Sequence, residues 1–341
     1  PLLEQLVNET PAEMPAQEAL FRTLASLKDL PAARAVAENV KQLHPDQPIG
    51  YYLAGSIDEA EQKYDAAQAA YEQALKLRPD AGEPMAALVR VDIARKQPAR
   101  AIERLDQVIA ANPKNVVALN LRGEVLTALK QFDPALASFE QAIATMPTWW
   151  VPYRGAALAH LARQQPDNAR GAIDMLERGV KGTNGAVELT TDLAALYERQ
   201  GRPEDAIRVY EAWVQRDPRS LIAANNLAML LVTYRTDTAS LDRAQQLTEK
   251  LGSSTEPSLL NTRGWVKFKR GDYQAALDLL AQAVDKSPDS PLLRYHLGMA
   301  QLKSGNTDAA RENLEAAVKS GRVFMGVKEA QAALDELKRA G

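Results

Sequence analysis

Cysteine is missing from the 341 residues, so disulfides, thiolate zinc sites, iron–sulfur clusters and cysteine nucleophiles are excluded together. Long apolar runs are missing too. The longest, Leu227 to Val232, falls far short of the roughly 20 residues a membrane helix needs. Neither charge sign dominates: 41 basic residues against 44 acidic ones leave a net charge of -3, which excludes a broad cationic footprint for nucleic acid. No two glycines flank a single residue, which removes the dinucleotide fingerprint, and neither a phosphate-cradling Walker loop nor a G-x-S-x-G elbow occurs. The three histidines, His44, His160 and His296, lie far apart without metalloprotease spacing, so no metal or cofactor is expected. No basic segment followed by an apolar one opens the chain, which starts at Pro1 without methionine.

Against these absences stands strong periodicity. Prolines at 11, 45, 79, 113 and 147 are evenly spaced, and alanine recurs twelve positions before each repeat's proline slot, at Ala33, Ala67, Ala101, Ala135, Ala169, Ala206, Ala244, Ala276 and Ala310. Between these marks, apolar residues recur at spacings of three and four, the pattern of two amphipathic helices per unit. In residues 48 to 81, Tyr51, Ala54, Gly55 and Asp58 form the inner stripe of a first helix and Tyr64, Ala67, Tyr71 and Ala74 that of a second, which Pro79 ends. Small residues such as Gly55 and Ala67 allow close backbone approach, so leucine at an Ala67-type position is expected to cost roughly 1–3 kcal/mol.

These residues resemble the tetratricopeptide repeat. Residues 257 to 290 carry its pattern in Leu260, Gly264, Gly271, Tyr273, Ala276, Leu280, Ala283 and Pro288. The resemblance implies an all-α, right-handed α-solenoid of about nine helix-turn-helix repeats, at 14–47, 48–81, 82–115, 116–149, 150–186, 187–220, 221–256, 257–290 and 291–323. Residues 1–13, with Leu3, Leu6 and Pro11, read as a remnant second helix of a repeat cut from a longer protein, and residues 324–341 as a capping helix with a polar face. Two repeats run long: 150–186, whose extra residues are expected around Gly179, Gly182 and Gly185, and 221–256, with an insertion near Arg235 to Ser240.

Catalysis needs a water-excluding pocket with converging groups, which an open stack of hairpins does not ordinarily make, so a non-enzymatic role is expected. In the resembled family, one stripe of each first helix lines a concave groove that holds a protein or peptide segment. Here that stripe gives Arg90, Asn120, Arg154, Asn225, Met229, Asn261, Trp265, Tyr295 and Met299, with Arg22, Tyr52 and Glu124 beside them. Asn120, Asn225 and Asn261 share one repeat position and either form a ladder along an extended ligand or bond between neighbouring helices. Trp265 either faces the groove as an anchor, the reading preferred, or wedges between repeats. Alanine at Asn225, Asn261 and Trp265 is then expected to abolish partner capture with circular dichroism unchanged. Trp149, Trp150 and Tyr153 form the densest aromatic spot, read as packing between repeats rather than a sugar platform. The runs Asn225 to Ala228, Asn261 to Trp265 and Tyr295 to Gly298 also look like bacterial repeat proteins of exopolysaccharide export and the exosortase (PEP-CTERM) system. That likeness implies periplasmic or outer-membrane-anchored placement through an upstream segment rather than a cytoplasmic one. A carbohydrate-contacting module of a secretion apparatus and a regulatory array of a larger enzyme are the alternatives to a protein-binding scaffold.

Overall fold

The computed structural model describes residues 2–9, 13–163 and 167–340, and every regular element among them is a helix. Pro11 lies outside the described residues. The chain divides into two compact units, residues 1–189 and 190–341, with the division inside one helix. The first unit holds α1 (Leu2–Glu9), α2 (Met14–Ser26), α3 (Leu30–Leu43), α4 (Pro48–Ala60), α5 (Tyr64–Leu77), α6 (Gly82–Ala94), α7 (Pro98–Ala111), α8 (Val116–Ala128), α9 (Phe132–Thr145), α10 (Val151–Ala162) and α11 (Asn168–Gly182). After the dividing helix α12 (Val187–Arg199), the second unit continues with α13 (Pro203–Arg216), α14 (Leu221–Tyr234), α15 (Thr238–Glu249), α16 (Pro257–Lys269), α17 (Tyr273–Lys286), α18 (Pro291–Lys303), α19 (Thr307–Lys319) and α20 (Val327–Ala340). Within each unit, successive antiparallel hairpins stack into an α-solenoid. None of the described helices is long and apolar enough to cross a membrane.

The sequence places starts and stops by backbone chemistry. Proline opens α4, α7, α13, α16 and α18, where its missing N–H costs nothing. The periodic prolines act at the other end: His44, Arg78, Asn112 and Met146, each before a proline, leave the helical region and terminate α3, α5, α7 and α9. The short turn inside seven of the hairpins holds a left-handed residue. Lys28, Gln62, Lys96 and Lys130 adopt it in the first unit, whereas Gly201, Gly271 and Gly305 adopt it in the second.

Five hairpins close on one size-matched pair each. A Cβ added to Gly55 would lie 2.6 Å from the Tyr71 ring, and one on Gly123 2.6 Å from Phe139, so the ring of the second helix sits directly on the backbone of the first. Gly264 and Gly298 meet Leu280 and Leu314 in the same way at 2.7 and 2.8 Å. Between α6 and α7 the pair is Val89 with Leu105, a larger first partner matched to a smaller second one. Ala67, Ala101, Ala135, Ala206, Ala276 and Ala310 are fully buried one turn before the second partner.

The α10–α11 hairpin corrects the expectation for the periodic alanines. Ala169 is half-exposed, and Ala172 is the fully buried residue of α11, followed by buried Leu176 and Gly179. The extra residues therefore enter between the two helices, around Arg163 to Asp167, and not at the exit. Gly179 is packed against Leu189 and Tyr153, and Gly182 against the Tyr153 hydroxyl, so these glycines serve close approach rather than a longer loop. In the second unit α14 and α15 are joined by only three residues, 235–237, as in the ordinary hairpins, and the additional residues lengthen the helix ends that face this turn, Ala244 being the seventh residue of α15 where Ala206 is the fourth of α13. Asp237 caps α15 by accepting from the Ser240 N–H at 2.9 Å, and the link to α16, 250–256, is longer than the link 217–220.

Candidate binding groove

In the first unit the first-helix stripe is occupied by its own partners. Arg90 makes two bonds to Glu59, each 3.1 Å, and Glu59 also accepts from the Tyr71 hydroxyl at 2.7 Å. Burial and the Glu59 carboxylate together hold the Tyr71 hydroxyl well above its ordinary range. Asn120 is buried and donates to Glu124 at 2.8 Å, while its Oδ1 has no partner among the described residues. Desolvation raises the Glu124 carboxyl. Arg154 is exposed. Asp92, fully buried where the repeat pattern expects an aromatic residue, is 3.1 Å from Arg104, which also reaches Glu72 at 2.8 Å. Burial outweighs these cations and raises the Asp92 carboxyl.

The second unit builds a cavity of about 400 Å³ on the same stripe. The end of α12 supplies Glu198 and α13 supplies Tyr210. Asn226, Met229, Leu230 and Thr233 come from α14, Trp265 and Lys269 from α16, and Leu292, Tyr295 and His296 from α18. Met325 and Gly326 cross the end of the cavity ahead of Glu329 in α20. Gly326 has φ +95, and a Cβ there would lie 2.2 Å from the Tyr295 ring, so only glycine lets the backbone pass over this tyrosine. Phe324 packs on the same ring, centroid to centroid 5.7 Å.

Met229, Trp265 and Tyr295, three residues expected on the groove, thus converge on one cavity, and Met299 is half-buried outside its lining. The expected exposure of Trp265 is corrected. It is 5% exposed, stacked on Phe268 at 4.5 Å and on His296 at 3.9 Å. Phe268 and His296 make no ring contact with each other, so they cover opposite faces of the indole. Tyr295 and Asn261 are buried as well. The Asn261 side chain bonds to His296, Oδ1 to Nδ1 at 2.7 Å, across two first helices. Asn225 donates to Asn226, which donates to the Tyr210 hydroxyl at 2.9 Å. The three asparagines of one repeat position therefore have three different settings and form no uniform ladder. Trp149 and Trp150 are half-buried, and Tyr153 is buried with its hydroxyl donating to the Pro147 carbonyl at 3.1 Å.

Burial dominates the titration of this cavity. It pushes the Tyr210 and Tyr295 hydroxyls up to about 12, raises Glu198 and lowers Lys269. His296 is pushed down to about 3 by burial and then by the Lys269 charge, so its ring is neutral. Glu198, Lys269 and Glu329 escape pattern reading because a carboxylate or lysine on a helix resembles ordinary solvated surface until the neighbouring helices are in place.

Models of the tetratricopeptide repeat match residues 59–125, 187–230 and 267–334. The chain belongs to the tetratricopeptide repeat family. This TPR chain is similar to Cellulose synthase 2 operon protein C of Komagataeibacter xylinus, 28% identical over 262 residues, covering 74% of this chain and 18% of that protein. It spans less than a fifth of that relative's length. Among solved structures, it is similar to YrrB, a TPR protein with an unusual peptide-binding site, at 20% identity and TM-score 0.33, covering 55% of this chain and 94% of that one. PilW, a type IV pilus biogenesis factor, is similar at 18% identity and TM-score 0.42, covering 59% of this chain and 91% of that one.

Proposed function

We propose that this TPR chain is a non-catalytic scaffold that holds a segment of a partner protein on the first-helix face of its second unit. The observation that carries this reading is the 400 Å³ cavity, within the size range of ligand sites, with apolar and polar groups on one wall. The first unit's stripe, with Arg90 already bound to Glu59, contributes spacing between hairpins rather than free recognition groups. The nine-repeat division, with residues 1–13 as part of a preceding repeat and residues 324–341 as a cap, belongs to the same proposal. Likeness to a cellulose synthase operon protein supports work within a bacterial exopolysaccharide assembly. A direct polysaccharide contact draws less support, because both faces of Trp265 are covered.

A photo-crosslinking residue at Met229, compared with one at exposed Gln282 on α17, tests the proposal in the native host. Adducts of one polypeptide species from position 229 alone are expected. Adducts to polysaccharide, or equal labelling from both positions, refute it.

A further inference from the structure

We infer that the cavity of the second unit is an anchoring pocket for one cationic side chain, an arginine or a lysine, of the partner polypeptide. This rests on the groove reading above and adds the chemistry of what enters. The lining holds two carboxylates, Glu198 and Glu329, against one ammonium, Lys269, so a single added cation brings it to neutrality. Glu198 accepts one bond, from the Tyr234 hydroxyl at 3.1 Å, and neither carboxylate is in an ion pair among the described residues.

An independent sign comes from His296, which is 3% exposed and part of the cavity wall. Its Nδ1 lies 2.7 Å from the Asn261 amide oxygen. An amide oxygen only accepts, so Nδ1 carries the proton and Nε2 presents a lone pair. That Nε2 makes no hydrogen bond among the described residues and is not sealed from solvent, so its lone pair is open to a ligand. The wall therefore offers two carboxylates and an imidazole lone pair as acceptors, beside the Lys269 ammonium and the hydroxyls of Tyr210, Thr233 and Tyr295. A guanidinium or ammonium supplies donors to these acceptors, whereas an anion meets repulsion from the two carboxylates. Lys269 forms no ion pair with either carboxylate among the described residues, although the Glu329 charge acts on it, and its Nζ lies 5.2 Å from the centre of the Trp265 ring. Met229, Leu230, Leu292 and Met325 give apolar surface against which the methylene stem of a long cationic side chain packs.

The test titrates the 341-residue chain with butylguanidinium, butylammonium, butyrate and cellobiose while the His296 ring resonances are followed by NMR. Saturable shifts with one or both cations are expected, weakened at least 10-fold in Glu198→Gln/Glu329→Gln and in Glu329→Gln alone, and unchanged in exposed Glu312→Gln. Glu329 is exposed, so its single variant keeps the fold and decides the matter even if the double variant unfolds. Butyrate or cellobiose shifting the ring as strongly as the cations, or full binding in Glu329→Gln, overturns the inference. A random peptide library panned on the chain separates the two readings. Enriched peptides sharing a lysine or arginine whose capture fails in Glu329→Gln support both. Enriched acidic or neutral peptides overturn the cationic pocket and leave the groove standing. No enrichment with positive cation shifts refutes the groove and keeps the pocket.

Discussion

The matched pair inside the α4–α5 hairpin makes a quantitative prediction for Gly55 and Tyr71. A Cβ at Gly55 would stand 2.6, 2.8 and 3.1 Å from three ring carbons of Tyr71, against an ordinary carbon contact of about 3.5–4.0 Å. The ring has little room to retreat, being fully buried with its hydroxyl bound to Glu59 at 2.7 Å. Overpacking of this kind costs about 1–3 kcal/mol, and replacing a mid-helix glycine by alanine returns about 0.5–1 kcal/mol. Gly55→Ala is expected to destabilise its hairpin by about 0.5–2 kcal/mol. Tyr71→Leu alone leaves a void and removes one of the partners of Glu59, which Arg90 still holds, and is expected to cost about 1–3 kcal/mol. Combined, the two changes approximate the Val89 and Leu105 pairing that α6 and α7 already use, so the clash disappears and only the helix gain remains. The double variant is expected to be more stable than the sum of its singles by at least about 1 kcal/mol. Gly82→Ala, whose Cβ would meet Val117 at an ordinary 3.4 Å, serves as a control expected to be neutral or stabilising. Urea unfolding followed by circular dichroism, with hydrogen exchange of α4 and α5 amides as the local readout, measures all four proteins. Additive costs, or a stabilising Gly55→Ala, would refute the idea that glycine and ring form one unit.

Trp265→Ala is expected to cost about 3–5 kcal/mol and to lower the unfolding midpoint of the second unit, because the indole fills the space between Phe268 and His296; an unchanged melt by circular dichroism would show the ring to be dispensable. Gln62→Gly, Lys96→Gly and Lys130→Gly are each expected to stabilise by about 0.5–1 kcal/mol, since a left-handed non-glycine residue costs about 1–2 kcal/mol and glycine's added chain entropy takes back part of it; a uniform loss of stability in thermal melts contradicts this. His296 has a folded pKa of about 3 against 6.5 unfolded, so the unfolded chain binds more protons between those values and stability falls as pH drops through that window, by at most about 1.4 kcal/mol per pH unit. His296→Gln should flatten the slope of urea midpoints from pH 6.5 to 4.5, and an unaltered slope counts against a buried neutral ring. Arg163→Gln breaks the 2.6 Å pair with Asp133, which is 80% exposed, and is expected to shift stability by less than about 1 kcal/mol in the same urea assay.

Helix pairing was legible in the sequence because it depends on residues that repeat. The prolines fix the ends and the alanines the nesting, so the solenoid follows from spacing alone. The α10–α11 hairpin shows where spacing fails: Ala169 keeps a plausible register, yet Ala172 is the residue that packs, and only the extra length of the turn before α11 reveals the shift. The groove was half legible. Met229, Trp265 and Tyr295 lie on the expected stripe, but whether a stripe residue faces a ligand or a neighbour depends on side chains two helices away. Trp265 is covered by its own helix's Phe268 and by His296 of α18, and no pattern within α16 announces the second. Glu198 and Glu329, distant in sequence, share a cavity only because α12, α14, α16, α18 and α20 line it in turn.

The α10–α11 hairpin takes its additional residues at the inner turn, while its link to α12, 183–186, keeps the length of the links 78–81 and 112–115. Stacking is thereby insulated from changes in such a turn. Thr236, between Arg235 bound to Glu204 and Asp237 at the start of α15, is accordingly a place where foreign sequence, such as an epitope or a fluorescent reporter, can be spliced in without displacing the hairpins on either side.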